Sequence, residues 1–214
     1  MRITFLGTGD AFCSGGRYQT CFLVELKNYC FLIDCGATSL LALRSGKVDI
    51  DNIDAIIVSH FHGDHYGGLP FLLLKANFVS TRSKPLHILG PPGVASRVGD
   101  LMESMYTKVR IDQLSFKIKF HEFSPSGNEQ GPLQVESYPV IHVPESLPHG
   151  IRIRVEEKIL SFSGDTGWTD KLYDISRAAD LFICECNFYH TLSPSHLNDQ
   201  TLKQELDNLQ CKRI

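Results

Sequence analysis

Three of the chain's nine histidines and an aspartate fall within six positions of Ser59-His60-Phe61-His62-Gly63-Asp64-His65. Alternate residues of an extended backbone face the same way, so His60 and His62 can reach one point. Gly63 lets the chain turn there, which brings Asp64 and His65 round to a second point nearby. Neutral imidazole and carboxylate donors together suit Zn²⁺, and also Mn²⁺ or Fe²⁺. The spacing therefore supports two adjacent metal sites. The competing reading is a solvated polar loop after a strand, and the density of histidine weighs against it.

Such a cluster works only if the elements around it hold it still. Strand-like runs rich in Ile, Val, Phe and Tyr are predicted at Arg2–Leu6, Thr20–Glu25, Tyr29–Ile33, Ala55–Ser59, Leu86–Leu89, Leu133–His142, Gly150–Val155, Lys158–Ser163 and Leu181–Glu185. Val24 to Asp34 (VELKNYCFLID) reads as a hairpin turning around Lys27-Asn28. Helices are predicted at Ser39–Ser45, Leu69–Phe78, Pro92–Met105, Trp168–Arg177 and Asp199–Leu209. In the last of these Leu202, Leu206 and Leu209 form a core-facing stripe. Strands that alternate with helices and also form hairpins predict an α/β protein with mixed sheets. Asp34, Ser59, His142, Ser163 and Glu185 each end a predicted strand, and polar residues delivered to one rim usually mark a site.

The bulk properties narrow the function classes. A length of 214 residues suits one domain, residues 1–214, and 43% hydrophobic residues supply a sizeable core. A net charge of −3 and an isoelectric point near 6.3 give no global basic field for nucleic acid. Seven cysteines are odd in number and contain no C-x-x-C pair, so they read as free core thiols in a reducing, cytoplasmic compartment. The amino terminus shows no signal-peptide pattern, and no apolar run reaches the roughly 20 residues that cross a bilayer. The chain is expected to be soluble.

The histidine string resembles the H-x-H-x-D-H signature of the metallo-β-lactamase superfamily. Phe5–Phe12 (FLGTGDAF), Phe31–Gly36 (FLIDCG) and Ser163–Gly167 (SGDTG) resemble further motifs of that family, in the same order. The likeness is strongest to the branch of tRNA 3′-end-processing endonucleases, ribonuclease Z-like enzymes, and phosphodiesterases. It implies an αββα sandwich of two mixed sheets, with zinc (one or two ions) at the rim between them. It also implies that His60, His62 and His142 hold the first metal, that Asp64 and His65 hold the second, and that Asp165 bridges both. His149 competes with His142 for its place, and the reading of His149 as a histidine near the pocket mouth is preferred. Asp34 resembles the aspartate that orients the ligand loop, with a simple turn cap as the alternative. Glu185 resembles a glutamate supporting His196, which would protonate the leaving oxygen, while Asp64 or Asp165 orients the attacking water. The loop His87–Gly93 resembles one that approaches the pocket, where a helix amino end can favour an anion.

Two departures from the family shape the expectation. The second metal's further histidine follows the carboxyl-terminal helix in the family. Here Cys211-Lys212-Arg213-Ile214 follows it, which reads as a strand cut short. Partial or single-metal occupancy is therefore expected, with a water, His149 or His196 as candidates to fill the gap. Between Gly90 and Glu122 a helix and a strand pair are predicted, without the long arm that grips tRNA, so a small or short phosphodiester is a better substrate than tRNA. The leading expectation is a metal-dependent phosphodiesterase. An ester, lactone or thioester hydrolase is the second reading, because the superfamily performs all of these with the same ligands. A metal-binding protein with impaired catalysis is the third. A subunit contact at the open strand edge would give a homodimer.

Overall fold

The middle strands of the amino-terminal sheet are apolar on both faces, and this decides how the sheet is built. Phe31, Leu32, Ile33, Ala55, Ile56 and Ile57 are all inaccessible to solvent. Continuous rather than alternating apolar runs are what parallel strands covered on both sides require. The computed structural model describes all residues, 1–214. The chain divides into two compact units, Met1–Glu122 and Phe123–Ile214.

The first unit holds β1 (Arg2–Gly7), β2 (Cys21–Glu25), β3 (Cys30–Ile33), α1 (Ser39–Ser45), β4 (Ala55–Ile57), α2 (Gly63–Tyr66), α3 (Leu69–Phe78), β5 (Leu86–Gly90), α4 (Val94–Met105) and β6 (Ile118–Glu122). Its six strands lie in chain order, β1 to β6. The first three are antiparallel neighbours, and β3 to β6 run parallel. The β2–β3 hairpin closes as expected around Lys27-Asn28, with Leu26 N–H donating to Tyr29 O at 2.8 Å. Helices α1 and α3 start and stop where the sequence places them. Helix α4 begins later than expected, at Val94, because Gly93 takes a left-handed conformation (φ 84°) as its cap.

Two expectations for this unit need correction. Residues 63–66 form a helical turn rather than a loop, with Gly63 at its start. The segment between α4 and β6 carries a 3-10 turn at Ile111–Gln113 and no second strand, so the predicted strand pair is a single strand.

The second unit holds β7 (Asn128–Gln130), β8 (Leu133–Pro139), β9 (His149–Val155), β10 (Lys158–Phe162), α5 (Lys171–Ser176), β11 (Leu181–Ile183) and α6 (Asp199–Glu205). Its sheet runs β11-β10-β9-β8-β7, with β10 and β11 parallel and the other pairs antiparallel. The core gathers Leu172 and Ile175 of α5, Phe182 of β11, Ile159, Leu197 and Leu209. Helix α6 is capped by Asn198, whose Oδ1 accepts from Thr201 N–H at 2.8 Å. It ends at Glu205 and tightens into a 3-10 turn, Leu206–Asn208. That change of period turns Leu206 out to 39% exposure, while Leu209 stays buried and Leu202 packs against the same core. The expected three-residue stripe is therefore two residues. Beyond α6 the chain lies along β11: Lys212 N–H donates to Ala179 O and Phe182 N–H donates to Arg213 O, both at 2.8 Å. No helix is long and apolar enough to cross a membrane.

Candidate metal sites

In the first unit the parallel neighbours β3 and β4 deliver Asp34 and Ser59 side by side. Asp34 N–H continues the ladder by donating to Ile57 O at 2.8 Å, and the residue then turns through a left-handed conformation (φ 57°). That turn brings its fully buried carboxylate back under the ligand loop. Asp34 Oδ1 accepts from Ser59 N–H at 2.7 Å, and Oδ2 lies 2.8 Å from Ser59 Oγ and 2.7 Å from His65 Nδ1. Ser59 Oγ is also 3.0 Å from His60 Nδ1. Burial pushes the Asp34 carboxyl above its ordinary pKa, and His65 and Ser59 oppose that rise. A carboxylate that receives three donors in a dry site is a rigid anchor.

His60 is fully buried and His65 is 1% exposed, so neither is a solvated loop residue. His62 is extended and caps α2, and its carbonyl accepts from His65 N–H at 2.9 Å. This helical turn carries Asp64 and His65. His65 Nε2 and Asp64 Oδ2 stand 3.5 Å apart. Two glycines let the neighbouring loop lie against the turn. A Cβ on Gly36 would sit 2.2 Å from Asp64 O, and one on Gly68 would sit 2.1 Å from Gly36 O. The contact is sealed by Cys35 N–H donating to His65 O at 2.6 Å and Gly68 N–H donating to Cys35 O at 2.8 Å.

The donor set fits an ion of the zinc class. His60 Nε2 and His62 Nδ1 face each other at 3.2 Å. Two nitrogens bound tetrahedrally at zinc distances would be separated by about 3.3 Å. His60 is also held from behind by Ser59 Oγ and flanked by the His65 ring, as ligand histidines usually are.

The second unit carries its own group. The ligand atoms of His142, Asp165 and His196 all lie within 4.8 Å of one another. His142 follows β8 in a bend rather than ending the strand, since β8 stops at Pro139. Its Nδ1 donates to Ser195 O at 2.9 Å, which leaves the lone pair on Nε2. Asp165 sits in the turn after β10, between Ser163 and Thr166, both of which are fully buried. Thr166 ties that turn to the His142 segment, because its Oγ1 accepts from Ile141 N–H at 3.1 Å, and Gly167 N–H donates to Ile141 O at 2.6 Å.

Glu185 lies just beyond β11 and organises this group. Its Oε1 accepts from His196 Nδ1 at 2.9 Å and from Thr166 N–H at 2.6 Å. Its Oε2 accepts from Leu197 N–H at 3.1 Å and Asn187 N–H at 3.2 Å. Burial raises the Glu185 pKa, the hydrogen bond from His196 opposes that rise, and the nearby Asp165 charge adds to it. The His142 and His196 rings meet edge to face, 4.7 Å between centroids.

His149 has a different situation from the one expected. It opens β9 instead of lying in a loop, and it is half-buried. Its Nδ1 donates to Leu147 O at 2.8 Å, its ring packs on Phe123 at 5.3 Å, and burial lowers its pKa. The amino end of α4, a candidate anion position in the sequence, is taken by a carboxylate: Gly93 N–H donates to Glu122 Oε1 at 2.9 Å. Sequence reasoning placed Ser59 on the rim without a partner and missed Thr166. Thr166 is a short hydroxyl residue beside a ligand motif, and its position next to Asp165 is the only local signal it gives.

Solved structures share this arrangement of strands and helices. The human tRNase Z short form (ELAC1) matches with a TM-score of 0.78 at 24% identity, covering 99% of this chain and 90% of that one. The metallo-β-lactamase fold protein YhfI from Bacillus subtilis matches with a TM-score of 0.78 at 23% identity, covering 98% and 82%. The fold is therefore the metallo-β-lactamase fold. A family profile described as Anti-Pycsar protein Apyc1 matches residues 1–213. The chain belongs to that family. This Apyc1-family chain is also similar to zinc phosphodiesterase ELAC protein 1 of Mus musculus, at 30% identity over 154 residues, 70% of this chain and 41% of that protein. Ribonuclease Z of Listeria monocytogenes serotype 4b is 31% identical over 166 residues, 74% of this chain and 50% of that protein. The Apyc1-family chain thus spans half the length or less of these curated relatives.

Proposed function

We propose that the chain is one metallo-hydrolase domain acting as a metal-dependent phosphodiesterase on a small or short phosphodiester. The observation that carries this reading is the facing of His60 Nε2 and His62 Nδ1 at 3.2 Å, with His60 backed by Ser59. A single family profile running through both units supports treating them as one domain. The proposed ligands are His60, His62 and His142 for one ion and Asp64 and His65 for another, with Asp165 shared. Zinc is the favoured ion, in keeping with the donor set and with the name of the mouse relative. When bound, the ions supply Lewis acidity and a water activated near neutral pH.

The chain's own residues do the rest. Asp64, held in the first turn of α2, orients the attacking oxygen and accepts its proton. His196 protonates the departing oxygen, and the Glu185 carboxylate on its Nδ1 fixes the ring. A small substrate is supported by the segment from Pro91 to Lys117, which is spent on α4 and a short 3-10 turn, and by the net charge of −3. Seven free thiols support a reducing, cytoplasmic location. A homodimer through a sheet edge is proposed, and light scattering of the purified chain measures it.

The discriminating assay offers bis(p-nitrophenyl) phosphate beside lactone and thioester substrates to the wild type and to His60→Ala. Phosphodiester turnover that disappears in His60→Ala is the expected result. Lactone or thioester turnover alone would replace this reading with the second hydrolase class.

A further inference from the structure

Ser59 stands between an anchor and a ligand, and nothing in the proposed ligand set assigns it a part. Its hydroxyl has one proton to give and lies 2.8 Å from Asp34 Oδ2, a buried carboxylate oxygen that can only accept. The same oxygen lies 3.0 Å from His60 Nδ1. With its proton committed to Asp34, the hydroxyl can only accept from the imidazole. We propose that Ser59 is a positioning residue that sets the tautomer of His60, placing the proton on Nδ1 and the lone pair on Nε2, where a metal would bind.

The consequence is a division of labour under one carboxylate. Asp34 Oδ2 holds His65 directly through Nδ1 at 2.7 Å and holds His60 at one remove, through the serine. His65 belongs to the proposed second site and His60 to the first. Loss of the Ser59 hydroxyl therefore impairs the first site selectively, because the Asp34–His65 bond does not pass through it. The backbone bond from Ser59 N–H to Asp34 Oδ1 also survives such a change, so the loop keeps its anchor. Ser59→Ala removes the hydroxyl that accepts from His60 Nδ1, and with it the preference for the proton on that nitrogen, so the Nε2-protonated form gains weight. A proton on Nε2 competes with a metal for the same lone pair.

The inference rests on the proposed metal reading for its purpose, but its first readout does not need a metal. Ring ¹⁵N spectra of the chelator-treated full chain, at a pH where imidazoles are neutral, report which nitrogen carries the proton. Wild type is expected to show His60 protonated on Nδ1. Ser59→Ala is expected to gain the Nε2-protonated form at His60 while His65 keeps its Nδ1 proton, which also serves as the folding control. Zinc affinity of the variant is expected to fall about 10- to 100-fold, the usual range for a group that orients a ligand histidine. An Nε2-protonated His60 in the wild type overturns the proposal without any variant. So does Ser59→Ala with an unchanged tautomer and unchanged affinity. A wild type with the expected tautomer that binds no zinc, manganese or iron upholds the serine relay and overturns the metal reading.

Discussion

Glu185 Oε1 and His196 Nδ1 are joined at 2.9 Å across eleven residues of chain. The same carboxylate receives the backbone N–H groups of Thr166, Asn187 and Leu197, so one side chain fixes both the turn carrying Asp165 and the ring of His196. Glu185→Gln replaces an acceptor-only group with one that must donate at one end. The amide N–H then opposes an N–H wherever it points. Turnover is expected to fall about 10- to 100-fold, in kcat more than in KM, because His196 acts on the departing group and not on ground-state binding. Steady-state kinetics on a phosphodiester with a weakly acidic leaving group, one that needs protonation to depart, measures the split.

His196→Ala removes the proton donor itself. The expected loss in kcat is about 100- to 10,000-fold for substrates with poor leaving groups. Leaving groups of low pKa need little protonation, so the loss shrinks along a series of phenyl phosphodiesters. A loss that is uniform across the series would point instead to a ligand role for His196, a role its closeness to His142 and Asp165 also permits.

Arg82 provides a structural control away from this chemistry. Its guanidinium is buried and donates to the carbonyls of Ile50 (3.2 Å), Asp51 (3.3 Å), Ile53 (2.8 Å) and Pro85 (2.9 Å), clipping the chain segments before β4 and β5 together. Arg82→Ala strands those carbonyls and should cost about 2–4 kcal/mol of stability. Urea titration reads the loss, while the zinc affinity of whatever remains folded is expected to be unchanged.

Asp180 gives a pH dependence with a definite sign. It accepts from Lys212 Nζ at 2.8 Å, Ile159 N–H at 2.9 Å and Lys158 Nζ at 3.4 Å, and these partners, the lysine bond first, hold its carboxyl below the ordinary range. A depressed carboxyl stabilises the fold above its unfolded value of about 3.9, and this contribution is lost as pH falls through the folded value. Asp180→Asn is therefore expected to be less stable than wild type at pH 7, with the gap closing in acid. Thermal melts from pH 5 down to about pH 2, below the unfolded value, follow it.

How much of this could be seen in the sequence depended on distance along the chain. His60, His62, Asp64 and His65 were legible because four ligand-type residues within six positions are unusual anywhere. Asp34 was ambiguous between anchor and turn cap because its partners Ser59 and His65 lie 25 and 31 residues away. Pairing of β3 with β4 brings them together, and no local pattern records that register. Helix α2 escaped notice because it is a single turn that opens on a glycine. The stripe at Leu202, Leu206 and Leu209 failed at its middle member because the helix tightened to 3-10 geometry after Glu205, a change of period set by tertiary packing and invisible to a 3.6-residue count. Glu185 and His196 were paired only through resemblance, and the fold supplies the physical reason: both border the turn that presents Asp165.

The most direct measurement is turnover of bis(p-nitrophenyl) phosphate by the full chain before chelation, after chelation, and after zinc is restored. Activity is expected to be lost with the metal, to return with zinc, and never to appear in His60→Ala. Turnover that survives exhaustive chelation, or that persists in His60→Ala, would contradict that expectation.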